Sequence, residues 1–156
     1  MLEIDIINKA DINLEGYPLN LLSNIFIQEQ NIINKNKSYI VGLLLCDNHE
    51  ISLLNSKFRN KNYPTNCLSF PSYSVNELSN LKENNIYLGD IAISIEKLKS
   101  EILSQNKDLN AHFMHILVHS ILHLLGYDHI NDIDAAKMEK LEVLILRKLG
   151  YNDPYK

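Results

Sequence analysis

The sequence is short of the features that mark several large protein classes. Its only cysteines, Cys46 and Cys67, stand 21 positions apart with no Cys-x-x-Cys pair. That spacing argues against a disulfide framework or a cysteine-built zinc site, and two buried free thiols are the expectation. Long hydrophobic runs are also missing: the longest, Tyr39 to Cys46, falls well below the roughly 20 residues of a membrane-spanning helix. The opening Met1-Leu-Glu-Ile-Asp carries acids where a signal peptide carries bases, so a cytoplasmic protein with no membrane association is expected. Positive charge is scarce. The formal net charge of −4 argues against a chain that coats nucleic acid through a broad basic surface, while leaving room for a local basic cleft. Arginine occurs only twice, as Arg59 and Arg147, and Arg147 falls late in a helical pattern, where a cation complements the helix C-terminus.

What is present reads as one domain over residues 1–156. Apolar residues make up 46% and charged residues 22% of the chain, ordinary globular values for a length that buries a real core. Leu2 to Ile7 alternates in the manner of a half-buried strand, and Leu19 to Ile33 has the spacing of an amphipathic helix. Ser38 to Cys46 is apolar nearly throughout, as in a strand buried on both faces. Asp47 or Asn48 can cap a helix from His49 to Phe58. Cys67 to Phe70 reads as a short strand closed by Pro71, and the Ser- and Asn-rich Ser72 to Asn85 as a surface loop without chemistry of its own. Ile86 to Ser94 is a further strand, in which Gly89 marks a bulge or a close approach. Asp90 lies within that apolar run and needs a partner, either as an acceptor behind a metal ligand or as a structural hydrogen bonder. Ser94 can cap a helix to Gln105, Asp108 or Asn110 a long central helix to Leu125, and Asn131 or Asp132 a last helix stopped by Gly150. The order β-α-β-α-β-β-α-α-α predicts an α/β (α+β) domain with a small mixed sheet of about four strands covered by helices.

The central helix carries His119-x-x-x-His123-x-x-Gly126-x-x-His129. Histidines four apart project from one helix face. A glycine three residues later can take the left-handed conformation that turns the chain back and returns the third ring to the same point. Three nitrogen donors with an open fourth position suit a catalytic rather than a structural zinc ion. Such an ion lowers the pKa of water from about 15.7 to roughly 7 and polarises carbonyl or phosphoryl oxygens. Hydrolysis is the natural reaction class. Zinc peptidases with this spacing place a glutamate after the first histidine, where this chain has Ser120, so a peptidase loses its proton acceptor. Phosphodiester cleavage suffers less, because charge neutralisation dominates it. Lys57, Arg59 and Lys61 form the most basic stretch of an acidic chain, at or just past a helix end where they also offset the helix dipole. A guanidinium at Arg59 could grip two phosphate oxygens at once. His115, one turn before His119, suits a supporting or packing role, and Asp128 suits a hydrogen bond to a ligating imidazole.

In four blocks the chain resembles the YbeY-type endoribonucleases, also described as ribosomal RNA maturation factors. These are Asn55 to Pro71, Leu88 to Ile93, His115 through His129, and Leu149 to Tyr155; the resemblance covers nearly all of the chain from Leu43 onward. It implies zinc held by His119, His123 and His129, and single-strand-specific RNA cleavage. It further implies a role at the 3′ end of small-subunit ribosomal RNA and in ribosome quality control, with ribosomal RNA and the ribosome or its small subunit as partners. The family's functionally important arginine corresponds to Arg59. Ser120 departs from the usual glycine, and Asn66 stands where many members have aspartate. A zinc metallopeptidase, and a non-catalytic ribosome-assembly protein with a structural zinc, are the competing expectations.

Overall fold

The computed structural model describes residues 1–29 and 32–156. Four strands form one mixed sheet in the order β1-β2-β4-β3, from β1 (Leu2–Asn8), β2 (Ser38–Cys46), β3 (Cys67–Pro71) and β4 (Asn85–Ser94). β1 and β4 flank β2 in parallel, whereas β3 pairs antiparallel with β4 and has no further strand on its other edge among the described residues. Six helices complete the described residues: α1 (Leu19–Gln28), α2 (Asn48–Arg59), α3 (Val75–Asn80), α4 (Ile95–Gln105), α5 (Leu109–Leu124) and α6 (Asp132–Lys148). None is long and apolar enough to cross a membrane.

The caps follow from side chains that compete for free backbone N–H groups. Asp47, Ser94, Asp108 and Asn131 each accept the N–H three residues on, so where two cap residues were open the first of each pair does the work. α1 stops at Gln28, earlier than its periodicity implies; residues 30 and 31 of the expected helix lie outside the described residues. Ser72 to Asn85 is not simply a loop. Ser74 and Glu77 form a reciprocal capping box that starts α3 inside it.

One face of the sheet packs on α1 and α5, and α6 packs in turn on those two helices. Tyr39, Val41, Leu43 and Leu45 of β2 and Ile86, Leu88, Ile91 and Ile93 of β4 meet Leu22, Phe26, Phe113, Leu117 and Met138 there. The expectation that β2 is buried on both faces holds for this face only: Ile40, Gly42 and Leu44 on the other are half-buried. α2 covers that second face at one end, where its Ile51 packs with Cys46, Leu68 and Ala92. On its open part Asp90 is exposed and accepts a hydrogen bond from the Tyr87 hydroxyl, which pushes the Tyr87 pKa up to about 12. Asp90 is thus the structural hydrogen bonder of the two options. The register shift between Ile40 and Val41 opposes Gly89, where φ is +138° and a Cβ would lie 2.2 Å from the Phe70 carbonyl oxygen. Only glycine lets β3 come this close.

Candidate active site

α5 is buried on nearly every side, so the half-buried His119 and His123 stand out among apolar neighbours. At its end Gly126 takes φ +97° and its N–H reaches the His123 carbonyl, while the Tyr127 N–H bonds back to Leu122. This left-handed turn reverses the chain, as the glycine spacing predicts, and returns His129. His119, His123 and His129 each offer a ring nitrogen, and these atoms all lie within 4.8 Å of one another.

The hydrogen bonds behind the rings decide which nitrogens are free. His123 Nδ1 lies 2.9 Å from the Tyr127 carbonyl oxygen, which can only accept, so Nδ1 carries the proton. His119 Nδ1 likewise donates to the Glu142 carboxylate. Both Nε2 atoms therefore present bare lone pairs, 3.0 Å apart. Two lone pairs facing each other at that distance repel unless a cation sits between them, so the donor set fits a metal ion. Burial, reinforced by the neighbouring His119, lowers the His123 pKa and favours the neutral form that ligates.

Glu142 is the site residue that the sequence reading misses. It is 0% exposed, and its other oxygen accepts from the Tyr155 hydroxyl and lies 3.4 Å from His115 Nε2. Burial alone would raise its pKa, but the hydrogen bonds from His115, His119 and Tyr155 outweigh that and hold it at about 2. The signal was present: Glu142 sits between Met138 and Ile145 on the buried stripe of α6, a charge where the period calls for an apolar residue. Asp128, expected to serve an imidazole, instead accepts the Ile130 N–H at 3.2 Å and forms part of the cleft wall. His115 meets Glu142 and Tyr155 and stands outside the cluster.

The histidines open into a cleft of about 670 Å³ whose opposite wall is β3. Arg59, the last residue of α2, lines it too: Nη2 donates to the Ser69 carbonyl at 2.9 Å and the guanidinium lies 5.1 Å from the Phe70 ring centre. Tyr73, Ser74 and Val75 contribute to the rim, so the segment expected to lack chemistry shapes the cleft. Cys67 is only half-buried and lines the cleft, against the expectation of two buried thiols; Cys46 is buried. Ser120 is fully buried and meets the Cys67 thiol. Asn66 points elsewhere, its amide donating to Glu101, which holds His112. An aspartate there would face another carboxylate, so the amide suits the partner this chain provides.

The family model described as Endoribonuclease YbeY matches residues 6–150. The chain belongs to the endoribonuclease YbeY family. Membership carries the enzyme class, hydrolytic cleavage within an RNA chain, and the match reaches well upstream of Leu43. Endoribonuclease YbeY of Francisella philomiragia is 45% identical over 115 residues, 74% of this chain and 72% of its own. The Colwellia psychrerythraea protein is 43% identical over 120 residues, 77% and 74% of the two chains. The Francisella tularensis protein is 39% identical over 156 residues, 99% of this chain and 92% of its own. The solution structure of TM1509 from Thermotoga maritima matches with TM-score 0.58 over 100% of this chain and 99% of that one; at 23% identity the likeness concerns the fold.

Proposed function

We propose that residues 1–156 form a single zinc-dependent, single-strand-specific endoribonuclease domain that acts in the cytoplasm on ribosomal RNA. Its site of action is the 3′ end of the small-subunit RNA, and its partners are the ribosome or small subunit, in whose quality control it takes part. The observation that carries the reading is the meeting, in one cleft, of three convergent imidazoles and an arginine. His119, His123 and His129 are the zinc ligands, and zinc there supplies a Lewis acid that polarises phosphodiester oxygens and acidifies water. Glu142 and the Tyr127 carbonyl keep the Nδ1 protons in place and so aim two Nε2 atoms at the ion. Arg59 is the catalytic residue. Braced on Ser69, its guanidinium retains N–H groups for phosphate oxygens and offsets the charge that builds on them.

Two features weigh against a peptidase. Ser120 occupies the general-base position of such enzymes and is buried away from solvent. The outer edge of β3, where an extended peptide would add as a strand, has its Ser69 carbonyl already taken by Arg59. A purely structural zinc is disfavoured by the half-open cluster, whose third ring, His129, is exposed.

The test is Arg59→Ala alongside His119→Ala on precursor ribosomal RNA. Arg59→Ala should keep about one zinc per chain and lose RNA cleavage, whereas His119→Ala should lose both. Cleavage intact in Arg59→Ala removes that residue from the mechanism. Chelator-sensitive hydrolysis of unstructured peptides with RNA untouched would restore the peptidase.

A further inference from the structure

Beside Arg59 lies a group of side chains that the cluster chemistry does not use. Phe58 is 50% and Tyr63 54% exposed, large rings that a soluble chain ordinarily covers, and they alternate with the exposed cations Lys57, Arg59 and Lys61. The Phe58 and Phe70 rings meet edge to face, 5.2 Å between centroids and at 63°, while the Lys57 ammonium sits 5.2 Å from the Phe58 centre and Arg59 covers Phe70. Phe58, Phe70 and Arg59 thus run from solvent to the cleft wall without a break.

The segment is fixed despite its exposure. Asn60 takes the left-handed conformation with its N–H on Ser56, the Lys61 N–H reaches the Asn55 carbonyl, and the buried Asn55 amide donates to the Tyr63 carbonyl at 2.9 Å. A buried asparagine therefore sets the course of a loop whose own side chains are left outside. Rigid exposed rings interleaved with cations suit one ligand above others: an unpaired nucleic-acid strand, whose bases stack on the rings while its phosphates meet the charges.

We propose that Phe58 is the stacking platform for an unpaired base next to the scissile phosphate, so that selection of single-stranded RNA begins at this ring. The proposal rests on the endoribonuclease reading above. A base in an A-form helix has both faces covered by its neighbours and cannot lie on Phe58, whereas a splayed base can. Arg59 then takes the phosphate at the cleft, and Lys57 and Lys61 the backbone outside it. Tyr63 offers a second ring along the same strand.

The chain contains no tryptophan, so Phe58→Trp places a single indole at the platform. In the zinc-loaded protein its emission should be quenched by a short unstructured oligoribonucleotide and not by a fully paired duplex of the same length. Leu103→Trp on α4, at a position 86% exposed, is the control whose emission should stay constant. Phe58→Leu keeps an apolar group but has no ring face; it should raise KM for the unstructured RNA about 10-fold, a typical loss for one stacked base, and narrow the preference over duplex. Phe58→Trp should restore both. If wild type cleaves unstructured RNA while Phe58→Leu matches it and the indole is not quenched, the platform is refuted and the nuclease reading stands. If wild type neither binds nor cleaves RNA, the nuclease reading fails and takes the platform with it.

Discussion

Replacing Glu142 by glutamine tests whether the cluster is aimed from behind. The two side chains have nearly the same shape, so α6 keeps its packing; what changes is charge and the pattern of donors. In the native site one carboxylate oxygen accepts from His119 and the other faces Tyr155 and His115. Glutamine can supply only one accepting oxygen. If its NH₂ faced His119, that ring would have to move its proton to Nε2 and would cease to be a ligand. The amide oxygen is therefore expected on His119, with the NH₂ turned toward the Tyr155 hydroxyl and His115, both of which can accept. His119 then loses the charge assistance and keeps a neutral hydrogen bond, a difference of about 1–2 kcal/mol. That corresponds to zinc binding roughly 5–30 times weaker, overlapping the lower part of the usual range for a partner behind a ligating histidine. Glu142→Ala, which also orphans three donors around a cavity, should cost more. Competition against a chromophoric chelator measures the dissociation constants, and cobalt absorption reports the ligand geometry. A Glu142→Gln protein that binds zinc as tightly as wild type, with an unchanged cobalt spectrum, would show that the carboxylate does not set the His119 tautomer.

Gly89→Ala should lower stability by about 2–4 kcal/mol, because its Cβ would meet backbone, the Phe70 carbonyl oxygen at 2.2 Å. Gly126→Ala should cost less, since it meets the end of the Val75 side chain at 2.4 Å, which can rotate; equal denaturation midpoints would contradict this. His112 has a lowered pKa, chiefly from burial, with Glu101 pulling the other way. Its neutral form is favoured on folding, so the unfolded chain binds the extra proton below about pH 6.5. Stability from this group is complete above that pH and declines on acidification toward the folded pKa; in chelator-treated protein, His112→Gln should flatten that slope of Tm against pH. Burial pushes the Cys46 thiol up to about 11, so alkylation at neutral pH should leave it intact until the chain unfolds, and rapid labelling of the folded protein would be inconsistent with that.

The convergence of His119, His123 and His129 was legible because all three come from one continuous stretch, where helical spacing and a single glycine determine their directions. The helix caps were legible for the same local reason. Glu142 was not, because its role depends on which turn of α6 lies against α5, and that is set by side-chain packing between helices distant along the chain. Asp128 shows the opposite error: adjacency to His129 suggests a contact, but the turn after Gly126 directs its carboxylate to Ile130. α3 had a readable start in Ser74-x-x-Glu77, overridden by the polar composition around it. The reading of β2 as doubly covered failed because an apolar run does not say how far a neighbouring helix extends over it.

The order of the residues along the chain has a consequence for biosynthesis. Arg59 and the three imidazoles emerge before Glu142 and Tyr155, and a polypeptide takes shape from its N-terminal side as it is made. A nascent chain that has produced α5 but not α6 can gather its histidines, yet His119 then lacks the acceptor that fixes its Nδ1 proton and leaves Nε2 bare. Under the proposed function the cleft consequently ripens last, after the sheet is laid down, and a half-made copy still tethered to the translating ribosome is a poor threat to the RNA around it.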